Sequence, residues 1–104
     1  MFATVRHYDG IDVSQKDELT KKIDGSLAPR LSKLPGFKNY FLIDTGNGVM
    51  SSIGLFDTST QANESTRVAS EWVRDEKLER ILPNPPKVTE GEVIVHKTDG
   101  AVRA

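Results

Sequence analysis

The stretch that most limits the fold is FKNYFLIDTGNGVMSSIGLFD, residues 37–57. Two runs rich in β-branched and aromatic residues, 37–44 and 49–57, flank TGNG, whose glycines and asparagine suit the positive φ angles of a tight turn. The spacing predicts a β-hairpin. Along the first strand Phe37, Phe41 and Ile43 alternate with Tyr40 and Leu42; along the second, Val49, Ile53 and Leu55 oppose Met50 and Phe56. A sheet with one solvated face should alternate apolar with polar residues. Both strands here are apolar on both sides, so both faces of the sheet need a cover.

The flanking segments supply one cover. FATVRHYD (2–9) alternates with period two and reads as a strand closed by Gly10. In residues 13–36 the period changes: Leu19, Ile23, Leu27, Leu31 and Leu34 step by four or three and share a helical face. Ser14 is the expected N-cap, and Gly25 and Pro29 predict a kink or a division near 25–29. A second helix is expected from Thr58, with Gln61 completing a capping box. It carries Ala62, Ala69, Trp72 and Val73 and fades at RDEK, and LERIL forms a separate short turn. After the stiff NPPK connector, VTEGEVIVHK (88–97) reads as the last strand and 98–104 as a frayed tail.

The resulting order, β-α-β-β-α-β, is that of the ferredoxin-like α+β fold: a four-stranded antiparallel sheet with both helices on one face. The 104 residues suit a single domain, 1–104. Two helices leave the other sheet face bare, and a second copy of the same sheet is the simplest cover. A homodimer through the face not covered by helices is therefore expected.

Composition narrows the function. A net charge of −1 argues against a nucleic-acid surface, and no apolar run reaches the roughly 20 residues of a membrane helix. With no cysteine, thiolate metal sites and cysteine nucleophiles are excluded. The N-terminal MFATVRHYDG has no signal-peptide pattern, so the expected location is cytoplasmic. GNGVMSSIG lacks the third glycine of a dinucleotide loop and joins strand to strand, with no helix N-terminus to hold a phosphate.

LSKLPGFKNYFLI, a Gly turn, SSIGLFDT, a helix carrying ASEWV and finally VTEGEVIVH together resemble the antibiotic biosynthesis monooxygenase-like family of the dimeric α+β barrel superfamily, over roughly residues 2–97. The resemblance implies a dimer whose sheets face each other inside a barrel, with the pocket between helices and sheet. It also implies cofactor-independent oxygenation of polycyclic aromatic substrates or haem degradation. The haem-degrading branch pairs a first-strand Asn and a Trp with a His about three helical turns further on. Here the first strand has no Asn, residues 74–86 have no histidine, and the residue ten positions past Trp72 is Leu82. The expected activity is thus oxygenation of an aromatic small molecule without cofactor or metal.

Candidate site residues follow. Trp72 is either a core anchor or a pocket wall. His7 on the first strand and His96 on the last, neighbours in this fold, are candidate bases for removing a proton from a phenol or an anthrone-type substrate. Either histidine can equally be structural. The second helix offers the small residues Ala62, Ser65 and Ala69 opposite Ser51, Ser52 and Gly54, which fits close packing as well as a cavity. The expected cleft is lined by Phe41, Phe56, Ser65, Ala69 and Trp72. The alternative to an oxygenase is a non-enzymatic small-molecule-binding or stress-related dimeric barrel.

Overall fold

The computed structural model describes residues 1–97, so the tail expected at 98–104 lies outside the described residues. Its strands are β1 (Phe2–Tyr8), β2 (Phe37–Gly46), β3 (Val49–Phe56) and β4 (Lys87–Glu92), paired antiparallel in the order β2-β3-β1-β4. Helices α1 (Lys16–Lys22), α2 (Ala28–Ser32) and α3 (Ser59–Asp75) cover one face. This is the expected ferredoxin-like arrangement. Among the described residues no helix is long and apolar enough to cross a membrane.

The β2–β3 hairpin turns on Asn47 (φ 57°) and Gly48 (φ 77°), successive positive φ angles that match the twist of the strands. One sequence expectation fails in β2. A bulge between Phe37 and Asn39 inserts a residue, so Phe37 does not share a face with Phe41 and Ile43. Instead its ring meets Phe56 edge to face at 5.7 Å, on the helix side.

Between α1 and α2 the chain neither breaks nor simply kinks. Residues Ile23–Leu27 widen into a π-helical turn, closed by the Ala28 N–H donating to the Ile23 carbonyl. The cause is Pro29, which has no N–H and whose ring needs the carbonyl four residues back to swing aside. The cap also differs: Asp12, not Ser14, receives the Ser14 N–H (3.1 Å), ahead of a short 3-10 turn at Val13–Gln15. At α3 the expected capping box forms, Thr58 accepting from the Gln61 N–H and Gln61 from the Thr58 N–H. The short turn expected in LERIL is a 3-10 turn, Leu78–Arg80.

The core lies between the helices and the sheet: Leu19, Ile23, Leu27, Leu31, Met50, Ala69 and Trp72 are all buried. The opposite sheet face is open in the single chain, leaving Phe41 50% and Ile43 43% exposed. β4 ends at Glu92 rather than running to 97. Its last pair is Glu92 with Phe2, the first residue of β1, and just beyond it the Val93 N–H donates to the Met1 carbonyl (2.8 Å).

Two glycines separate space from strain. A Cβ at Gly25, inside the π turn, meets nothing within 4 Å. Gly25→Ala should therefore raise stability by about 0.5–1 kcal/mol, by lowering the entropy of the unfolded chain. Gly36 sits at φ 76°, and a Cβ there runs into the Gln61 side-chain amide of the capping box. Gly36→Ala should lower stability by more than roughly 1 kcal/mol, since strain and a lost cap add. Urea midpoints of the two variants measure both effects.

Candidate functional site

Small residues on α3 bring helix and sheet together. Ala62, Ser65 and Ala69 are each at most 1% exposed beneath α3, and Ser52 and Gly54 are among the helix-side residues of β3. Thr66 Oγ1 meets Thr4 Oγ1 of β1 at 3.3 Å. This stripe is therefore a close contact and encloses no space. Ser51 alternates to the open face, away from it.

Space appears one turn further along α3, around Trp72. A cavity of about 20 Å³ is bounded by Trp72, Tyr8, Tyr40, Leu42 and Met50, with Ile23 and Leu27 of the π turn completing the wall. Clefts open on either side of it. One of about 370 Å³ runs between α1, the π turn and β2, and shares Ile23, Tyr40 and Leu42 with the cavity. The other, about 280 Å³, shares Tyr8, Val73 and Leu82 and is bordered by Pro83, Pro85 and Pro86. The cavity alone holds about one water molecule, and shared side chains separate it from each cleft, so the passage that the three spaces mark out is interrupted twice.

Trp72 is held rigidly in this wall. Its side chain is 1% exposed and its indole N–H donates to Ser26 Oγ at 2.9 Å. Ser26 belongs to the π turn, so the distortion caused by Pro29 also presents the acceptor.

The expected site residues separate. Trp72 borders the cavity, while Phe56, Ser65 and Ala69 are packed core beside it. Phe41 lies on the other face, opposite Ile53, because β2 alternates. His7 is exposed on that same outer face, where its Nδ1 lies 3.2 Å from Ser51 Oγ. His96 is exposed beyond the end of β4. The two histidines are not brought together: His7 pairs with Lys87, at the start of β4, and His96 follows its far end. Among the described residues no three His, Asp or Glu side chains gather in a metal-binding group.

The polar groups at the cavity are Tyr8, Tyr40 and, beside them, Arg6 and Ser52. Arg6 is 2% exposed on the helix side of β1, directly across from Ser52. Sequence reading missed it because arginine on a strand is ordinarily a solvated residue. The available signal was parity, since Arg6 shares a face with Thr4 and Tyr8, beneath the helices. Burial pushes the Tyr40 phenol above its ordinary value of 10, while the neighbouring Arg6 charge acts in the opposite direction.

A pH dependence follows. Above pH 10, the ordinary tyrosine value, the unfolded chain releases the Tyr40 proton before the folded chain does. The unfolded state then binds fewer protons, and stability falls as pH rises through that window. Tyr40→Phe should flatten this fall, as read from urea midpoints between about pH 8 and 11.

No protein-family model matches the chain, and none of the curated proteins matches it in sequence. Solved structures do match. A putative antibiotic biosynthesis monooxygenase from Nitrosomonas europaea is 11% identical, with a TM-score of 0.71 over 91% of this chain and 100% of that one. A dimeric ferredoxin-like protein from an uncultured marine organism is 16% identical, with a TM-score of 0.68 over 93% and 97%. A Streptomyces coelicolor monooxygenase in complex with nanaomycin D is 17% identical, with a TM-score of 0.67 over 93% and 92%. The chain thus has the ferredoxin-like fold shared by antibiotic biosynthesis monooxygenases.

Proposed function

We propose that this chain forms a homodimeric barrel that binds an electron-rich aromatic molecule between its helices and sheet and promotes its reaction with O₂. The observation that carries the reading is the space around Trp72: a cavity wall that is apolar apart from two tyrosines, an adjoining cleft that adds Thr20, Lys21 and Asp24, and Arg6 buried beside Tyr40. Pockets of this composition suit aromatic ligands, the polar groups fixing their orientation. Fold likeness to a monooxygenase that holds nanaomycin D adds support by analogy.

The chemistry needs no resident cofactor. In a hydroxyanthrone the central CH₂ is acidic, and its carbanion is the species that reacts with O₂. One oxygen atom enters as the quinone carbonyl, the other leaves as water with the two methylene hydrogens, and the substrate supplies all the electrons. The protein's part is to exclude bulk water, hold the ring and favour the anion. The histidines lie away from the passage, and their proposed place is outside the reaction. His7, on the open face, fits a contact between protomers.

Oxygen uptake and quinone absorbance with a hydroxyanthrone test the reading. Wild type should exceed buffer and heat-denatured protein, and His7→Ala and His96→Ala should keep its rate. A wild-type rate equal to buffer removes the oxygenase reading. Ligand binding without turnover would favour the non-enzymatic barrel instead.

For assembly, Val5, Ile53 and Leu55 join Phe41 and Ile43 on one apolar sheet face. Such a face is covered most simply by its own copy. Light scattering should give twice the 11.5 kDa chain mass. Phe41→Asp with Ile43→Asp should give the single mass, and a wild-type protein of single mass would overturn the dimer.

A further inference from the structure

Among the described residues Arg6 is the one buried charged side chain, and no carboxylate pairs with it. Its Nε and Nη1 are buried without a partner at full hydrogen-bond geometry, as is Ser52 Oγ directly across the ladder, and the neutral Tyr40 phenol lies beside both. None of the ion pairs among the described residues includes it; all five join exposed or half-exposed side chains. A guanidinium cannot shed its proton to escape burial, as a lysine can. Unpartnered donors buried in an apolar setting are strongly unfavourable, so a site that keeps them is built to receive an acceptor.

The position of the charge indicates where that acceptor comes from. Arg6 stands beside Tyr40, a wall residue shared by the internal cavity and the 370 Å³ cleft, and precedes Tyr8 on the same strand face. Arg6 lines neither space itself, so a ring seated in the cleft against Leu42 and Ile23, with Thr20, Lys21 and Asp24 also on the wall, would reach the guanidinium only through a substituent that passes Tyr40.

We propose that Arg6 is the counter-ion of an aromatic oxyanion, so that the ligand of this passage is an aromatic acid bound in its ionised form. The planar fork of the guanidinium suits two oxygens on one carbon, and a carboxylate next to a ring hydroxyl presents them. Ser52 Oγ supplies a further donor. The assignment rests on reading the passage as an aromatic site and adds the charge of its ligand. In an oxygenation the same cation stabilises the ionised substrate, a role that the remote histidines do not fill.

Fluorescence of Trp72, the only tryptophan, reports binding directly. The probes are 1-hydroxy-2-naphthoate and its neutral amide, titrated at neutral pH into the full-length protein. Wild type should bind the carboxylate at least ~10-fold more tightly than the amide, the scale of one charge-assisted hydrogen bond. Arg6→Met, of similar length and without charge, should bring the ratio near one by weakening the carboxylate far more than the amide. Its melting temperature should equal or exceed that of wild type, since an unpartnered buried charge is removed.

Equal wild-type affinities for the two probes would overturn the counter-ion while leaving an aromatic pocket in place; this comparison needs no variant to fold. Failure of both probes would overturn both readings. A melting temperature lowered in Arg6→Met, together with equal wild-type affinities, would assign Arg6 a purely structural role. Charge-selective binding without oxygen consumption would keep the counter-ion and remove only the oxygenase.

Discussion

The hydrogen bond from the Trp72 indole to Ser26 ties the two helical segments over the sheet to each other. It joins the last turn of α3 to a distorted turn 46 residues earlier. A buried tryptophan contributes mainly through area, and truncation to Ala in such a place costs on the order of 3–5 kcal/mol. The N–H would subtract from that if left without a partner, so the acceptor matters beyond its own strength. The π turn provides it, and so the irregularity introduced by Pro29 is what lets the largest side chain of the core be buried whole. Ile23 at the head of that turn is also the wall between cavity and outer cleft. The same backbone detour thus anchors the core and shapes the access to its cavity.

Along the sheet, side-chain parity distributes the work. Arg6 and His7 are adjacent in sequence and point to opposite faces. The histidine drew attention for its chemistry, since an imidazole titrates near neutral pH. Its face carries it to the open surface. The arginine has no basic lone pair to offer, yet its face carries it under the helices. What a strand residue can do in this fold depends first on whether its number is odd or even, and chemistry acts only within that choice.

The elements were largely legible in the sequence because their signals are local. The Asn47-Gly48 turn, the Thr58–Gln61 capping box and the change of period after Gly10 each need only a few neighbouring residues. Some failures were local, such as Asp12 in place of Ser14 at the cap, but the larger ones are cases in which a distant partner decided. Phe37 changed face through a bulge matched to β3, and β4 ended opposite Phe2, the first residue of β1. For the cavity, small residues on α3 were a fair sign of either contact or space. Ser65 and Ala69 turned out to be packed core. The space lies instead beside Trp72 and two tyrosines that the fold brings together from three elements, which no local pattern encodes.

The cavity's size then bears on mechanism. At about 20 Å³ it is smaller than any aromatic ring, whereas the cleft outside Tyr40 is about 370 Å³. A ring can therefore seat in the cleft with little rearrangement, and only a substituent needs to pass inward. In the proposed binding mode the bulk of the ligand would lie against Leu42 and Ile23 and its polar end in a drier part of the molecule. There a single positive charge would act through low dielectric and count for more than at the surface. The same dryness makes an unpaired charge expensive to bury, so under that reading a bound anion would also stabilise the fold.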